Sequence, residues 1–218
     1  MRSRSLPPCA MRRSERSDTR KRRHGGAIVE FAIILPMILL MALSVFDIAR
    51  AIQANMILVS IGREGGSLAS RSSGYSYTQI MDSLAATTPP LEMNTQGMIY
   101  ITRIMGRAES GVIRNIILEQ YRWQQGWNQS QYTPLSNVWS CGASGGTSWA
   151  SDGSCAGLPS PGATSPTANA MTGMLKDGEV IFAVETYYRY QSLLGNIGVG
   201  GGLMTPLVGP NLYALTIF

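Results

Sequence analysis

The feature that most constrains this chain is an uninterrupted apolar run from Gly26 to Phe46, GAIVEFAIILPMILLMALSVF. Its 21 residues hold one ionisable group, Glu30. Coiled as an α-helix, the run is about 30 Å long, which matches the hydrocarbon thickness of a bilayer. A removable secretory signal has an apolar stretch of only about 7–15 residues, followed by a small-x-small cut site. This run is longer, and Asp47-Ile48-Ala49-Arg50 continues a helix without a loop. A retained transmembrane helix is therefore expected. Pro36 lies inside it and removes one backbone hydrogen bond. Two readings are open there: an ordinary kink, or a local melt that adds extensibility.

The helix is expected to run past the membrane. Val45, Ile48, Ile52, Met56 and Val59 recur at spacings of three and four, with Asp47, Arg50 and Gln53 on a different face. That pattern is amphipathic and suits a helix lying on a folded head. It fades at Gly62, Gly65 and Gly66, where a stop is plausible. One helix from about Gly26 to about Leu68 is predicted.

Charge is distributed unevenly. Residues 1–25 carry nine Arg or Lys against two acids, a net +7, whereas the remaining chain has nine bases and eleven acids, a net −2. A basic tail can bind nucleic acid. Placed directly before a membrane-length helix, it reads as a topology signal that keeps the N-terminus cytoplasmic. No nucleic-acid partner is expected. The tail, with Pro7 and Pro8, has the composition of a disordered leader.

Residues 71–218 read as a small α+β head. Thr78–Ala86 suits a short helix that ends at Pro89-Pro90. Gly97–Met105 and Val112–Trp123 suit a β-hairpin turning around Gly106–Gly111. Residues 124–170 are rich in Gln, Ser, Gly, Pro and Asn and are expected to be a long irregular insertion carrying Trp127, Trp139 and Trp149. The clearest strand is Glu179–Gln191, with Val180, Phe182, Val184, Thr186, Tyr188 and Tyr190 on one face. Gly198–Gly202 is a flexible glycine run, and Asn211–Phe218 a last strand. The fold class expected is a long transmembrane-plus-amphipathic helix followed by a small antiparallel sheet.

Three cysteines are present. Cys9 lies in the basic tail. Cys141 and Cys155 lie in the insertion. If the head is exported, they form an even pair in an oxidising compartment and a disulfide follows; two free thiols are the alternative.

The chemistry of catalysis has few candidates here. The only histidine is His24, in the tail, so the head has no histidine base for a nucleophile. No Cys/His cluster has zinc spacing, and no GK[ST] follows the glycine run. The acids Glu64, Asp82, Glu92, Glu109, Asp152, Asp177 and Glu185 are scattered. The expectation is a chain that is not an enzyme, with no catalytic residue, cofactor or metal.

The informative constellation is Arg22-Arg23-His24-Gly25-Gly26-Ala27-Ile28-Val29-Glu30-Phe31. A carboxylate one turn inside an apolar span costs a few kcal/mol and needs a partner. A cut between Gly25 and Gly26 would create one: the new α-amino group of one subunit could pair with Glu30 of its neighbour. Otherwise Glu30 is solvated among headgroups, or neutral and bonded to its own helix.

This junction resembles the prepilin site of Flp-type pilins, with Glu30 fifth and Phe31 sixth after a cut at Gly25–Gly26. The likeness continues through Leu35-Pro36, Phe46-Asp47-Ile48-Ala49-Arg50 and Arg63-Glu64-Gly65. Over roughly residues 23–70 the chain resembles the TadE-like domain, with Gly62 and Gly66 replacing alanines of that pattern. The resemblance implies a minor pseudopilin of the tight-adherence (Flp-type) pilus. Its implied partners are other pilins and pseudopilins of that system, the prepilin peptidase, the inner-membrane assembly platform and membrane lipid. Its implied place is the inner membrane, with the head periplasmic or carried outward on the pilus. The other roles weighed are a stationary uncleaved component of the assembly machine and a tip adhesin that uses the insertion as contact loop.

Overall fold

A computed structural model describes residues 23–71, 74–130, 132–143, 146–193 and 211–218, and the pairs 198–199 and 202–203. The leader up to Arg22, Cys9 and the centre of the glycine run, Gly200-Gly201, lie outside the described residues. Two units make up the chain, Met1–Ala42 and Leu43–Phe218.

Helix α1 spans Arg23–Ser70 and runs unbroken through Pro36. In the first unit every side chain from Gly26 to Ala42 is exposed. The segment Gly26–Ser70 contains an 18-residue window of mean hydropathy 2.5, none of it buried, and is long and apolar enough to cross a membrane.

In the second unit α1 meets a four-stranded antiparallel sheet. Helix α2 (Tyr77–Ala86) and the single turn α3 (Met93–Gln96) lead into β1 (Gly97–Glu109) and β2 (Val112–Arg122). Ser76 starts α2 with a capping box closed by Gln79, which satisfies two otherwise orphaned backbone donors. Helix α4 (Gln124–Gln129), the two-residue strands β3 (Ser148–Trp149) and β4 (Cys155–Ala156), then β5 (Val180–Arg189), β6 (Gly198–Val199), β7 (Gly202–Leu203) and β8 (Asn211–Ile217) complete the order. The main sheet runs β2-β1-β5-β8.

The hairpin turns later than the sequence suggests. β1 continues through Gly106, which pairs with Asn115, and the turn is Ser110-Gly111 at φ 52° and 84°. Two consecutive positive φ angles are what a two-residue hairpin needs to match strand twist. Gly106 is held inside the strand by bonds to Glu179 O (2.9 Å) and from Gly178 N (2.8 Å).

Both faces of β5 are covered, which the sequence reading did not foresee. Val184 and Thr186 face α1: Thr186 Oγ1 donates to Leu58 O at 3.3 Å. The alternate residues Ile181, Ala183, Glu185 and Tyr187 are buried as well. Their cover is the insertion, which places Val138, Trp139, Cys141, Ala168 and Ala170, with Leu175 just beyond it, against Ile104, Ile117, Ile181 and Ala183. The unit is a three-layer arrangement of helix, sheet and stapled loop.

The face that α1 buries also differs from expectation. The buried positions are Asp47, Ala51, Ala54, Leu58, Ile61 and Ala69, with Gly62, Gly65 and Gly66 between them. Val45, Ile52 and Met56 are 67%, 52% and 66% exposed. The small side chains let the helix axis approach the sheet, and the larger apolar stripe is left outside. Nor do the glycines stop the helix. They make room: a Cβ on Gly65 would sit 2.8 Å from Leu84 Cδ1, and one on Gly62 2.6 Å from Thr216 Oγ1.

Candidate functional site

The structure places the junction residues in the first turns of α1. Gly25 and Gly26 are helical, and Glu30 and Phe31 are exposed. Phe31 is 61% exposed, and a Cβ added to Gly26 would meet nothing within 4 Å. Among the described residues nothing bonds to the Glu30 carboxylate. Pro36 is likewise exposed. These residues present an unpartnered helical surface. They are not gathered into a pocket.

A second constellation lies where α1 leaves the apolar run, and the sequence reading assigned its key residue to the solvent side. Asp47 is only 2% exposed. The Tyr190 hydroxyl lies 2.8 Å from Asp47 Oδ1 and 2.9 Å from the Asp47 carbonyl oxygen. Ser192 Oγ donates to Oδ2, and Leu193 N to Oδ1 at 3.2 Å. A buried carboxylate is tolerated when its lone pairs are filled this way. The lock ties the helix to the exit of β5. Burial first, and then the Asp47 carboxylate, push the Tyr190 phenol up to about 12.

The third constellation holds the insertion. Glu185 is fully buried at the centre of β5. Its Oε1 accepts from Asn137 N (2.8 Å), Val138 N (3.3 Å), Tyr187 OH (2.9 Å) and Tyr213 OH (3.1 Å). Ser136 Oγ donates to Oε2. Gln120 extends the network: its Nε2 reaches Thr102 and Ser136 at 3.2 Å each and the Trp139 carbonyl, while Cys141 N donates to its Oε1 at 3.0 Å. Burial, with the Glu185 charge second, raises the Tyr187 and Tyr213 phenols above their ordinary range. The Cys141–Cys155 disulfide closes the loop over this network.

The insertion's tryptophans are used inside the fold. Trp139 is buried. Trp127 and Trp149 flank the Arg122 guanidinium at 4.0 and 4.8 Å from their ring centroids, a cation–π clasp strengthened by its burial. Trp123 Nε1 donates to Asp82 at 2.8 Å. Of the acids called scattered, Asp82 and Glu185 are structural anchors. The signal available for Glu185 was its place in a strand whose neighbours on both sides are apolar or aromatic.

Residues 25–66 match the family model described as TadE-like protein. No curated protein and no solved structure matches the chain. The matched segment begins at the proposed cut, contains Glu30, Phe31, Pro36, Asp47 and Arg50, and ends at Gly66, where α1 packs against Phe218. It therefore covers the apolar run, the Asp47 lock and the glycine-lined contact. The sheet and the insertion lie beyond it.

Proposed function

We propose that this chain is a minor pilin-like subunit of a tight-adherence pilus, anchored in the membrane by Gly26–Phe46 and incorporated into the pilus by helix packing. The TadE-like match over residues 25–66 supports the pilus association. The observation that carries the assembly role is the two-sided helix. One face of α1 is committed to the sheet through small residues, while Val45, Ile52 and Met56 stay exposed on the other. A stripe of large apolar side chains at helical spacing, which continues past the expected membrane span through Ile52 and Met56, suits the helix of a neighbouring subunit.

In this reading the prepilin peptidase removes the leader between Gly25 and Gly26. The freed amine of one subunit then pairs with Glu30 of another. A carboxylate costly in the lone subunit becomes satisfied in the assembly, which favours polymer over membrane. The assembly platform and the other pilins are the remaining partners, and the head lies on the periplasmic side. The network around Glu185 turns the insertion inward, which favours a structural role for it over a free contact loop.

A photo-cross-linking residue placed at Met56 tests the ridge. It should trap another pilin subunit in piliated cells, and one placed at exposed Ser83 on α2 should not. Equal yields at both sites would count against helix packing. Glu30→Ala separates the subunit from a stationary anchor, because a stationary anchor tolerates that change.

A further inference from the structure

The Gln120 side-chain amide has more acceptors around its nitrogen than it has hydrogens. Its Nε2 carries two hydrogens and faces Thr102 Oγ1 and Ser136 Oγ, each at 3.2 Å, and the Trp139 carbonyl oxygen. At the other end of the amide, Cys141 N donates to Oε1 at 3.0 Å. A backbone N–H there polarises the carbonyl as an oxyanion donor does. The Ser136 hydroxyl gives its own hydrogen to Glu185 Oε2. Glu185 Oε1 also receives donors alone, from Asn137 N, Val138 N, Tyr187 OH and Tyr213 OH. That is the pattern of an ionised carboxylate. Thr102, Gln120, Ser136 and Glu185 are all buried.

These are the parts of an acyl transfer: an amide with a polarised carbonyl, a hydroxyl beside it, and a carboxylate holding that hydroxyl's hydrogen. Thr102 Oγ1 lies as near to Nε2, yet among the described residues it has no carboxylate beside it. Ser136 is therefore the nucleophile. With a C–N bond of about 1.3 Å, Ser136 Oγ lies roughly 4 Å from Gln120 Cδ. A near-attack distance is about 3–3.5 Å. The last torsion of a glutamine side chain is broad, so a turn of the amide plane brings the face of Cδ toward the hydroxyl.

We propose that Gln120 and Ser136 join as an intramolecular ester. Ser136 Oγ attacks Gln120 Cδ while Glu185 takes the hydroxyl proton. The Cδ–Oγ bond forms and the Cδ–Nε2 bond breaks. Glu185 passes the same proton to the departing nitrogen, which leaves as ammonia. No oxidant or cofactor enters, and Glu185 ends ionised as it began. The reaction runs once per chain, so the modest basicity of a well-bonded carboxylate suffices. Burial keeps water from the acyl carbon and so favours the ester over hydrolysis to glutamate. Loss of ammonia also removes the group that has too few hydrogens for its neighbours. The ester closes a ring over residues 120–136, beside the ring closed by Cys141–Cys155. It holds the start of the insertion on β2 even when the disulfide is reduced.

The test is peptide mapping by mass spectrometry of the full chain, purified folded in detergent, then denatured, reduced and digested. Trypsin cuts after Arg122, which places Gln120 and Ser136 in separate peptides. Wild type should give these two peptides joined, lighter than their sum by one ammonia, and hydroxylamine should part them. Ser136→Ala should leave them separate, and Thr102→Ala should leave them joined. Glu185→Gln should leave them separate, because a general base contributes about 10²–10⁴ in rate. Separate peptides at full mass from wild type whose Cys141–Cys155 disulfide has formed overturn the proposal. So does a bond from Gln120 to Thr102, an ammonia loss that joins no peptides, or full joining in Glu185→Gln.

Discussion

Tyr190 donates its hydroxyl to Asp47 at 2.8 Å across 143 residues of sequence, joining the start of the head-bound half of α1 to the far end of β5. Both residues are buried. The bond fixes which face of the helix meets the sheet, and so which face is left exposed.

Removing that lock should loosen the helix from the sheet. Asp47→Ala strands the Tyr190, Ser192 and Leu193 donors and should cost about 3 kcal/mol or more, at roughly 1–3 per unsatisfied buried group. Tyr190→Phe should cost about 1–2 kcal/mol. The double variant should lose less than the sum, because the two residues share one interaction. Urea unfolding of the full chain in detergent, followed by tryptophan fluorescence, measures all three. Additive losses would separate the residues.

Stability should fall steeply in alkali. The Tyr190 phenol is pushed up to about 12, against an ordinary value near ~10. A pKa raised in the folded state contributes stability that is complete below about pH 10 and is lost as pH rises through about 12. Tyr100, Tyr187 and Tyr213 are shifted the same way, chiefly by burial. Unfolding free energies measured at pH 9 and pH 11.5 should therefore differ, and Tyr190→Phe should narrow the gap. An unchanged gap would mean that Tyr190 titrates normally.

The insertion should come away as a unit when its anchor is removed. Glu185→Ala leaves five donors facing a cavity and should cost at least about 3 kcal/mol. Protease sensitivity should then appear between residues 132 and 178 while β1 and β5 remain protected. Reducing Cys141–Cys155 should weaken the same layer by about 3 kcal/mol, the loop-closure value for some 15 residues. Global unfolding in either case, with no preferential cleavage of the insertion, would show that the layers are not separable.

Gly65→Ala sets two effects against each other. Alanine gains about 1 kcal/mol of helix propensity over glycine. Its Cβ would lie 2.8 Å from Leu84 Cδ1 and 3.4 Å from Val184 Cγ1, and both neighbours are buried. Overpacking of that kind costs about 1–3 kcal/mol. The net should be a loss near 1 kcal/mol. A stabilised variant would mean that the helix-to-sheet contact is loose enough to absorb a methyl group.

Much of this fold was legible in the sequence, and the parts that were not share a cause. The apolar run, the hairpin strands, β5 and the Cys141–Cys155 bridge follow from length, alternation and redox logic. The helix face does not. Val45, Ile52 and Met56 and the set Ala51, Ala54 and Leu58 have the same period, and periodicity cannot say which stripe is core and which stays exposed. Large side chains looked like the core; the small ones pack there because a helix must come close to the strands. Glu185 was missed for a related reason. Its five partners come from residues 136–138 and from Tyr187 and Tyr213, and only the folded loop brings them together. The turn at Ser110-Gly111 was hidden by Gly106, a glycine that reads as a breaker yet is bonded on both sides.

The central claim is that this chain leaves the membrane as part of a pilus. Shearing pili from intact cells, then determining the N-terminus of this chain in the sheared fraction by mass spectrometry, tests it most directly. The account predicts a minority component of the sheared pili beginning at Gly26, absent when Glu30 is replaced by alanine. A chain found only in the membrane fraction of piliated cells, still carrying residues 1–25, would contradict it.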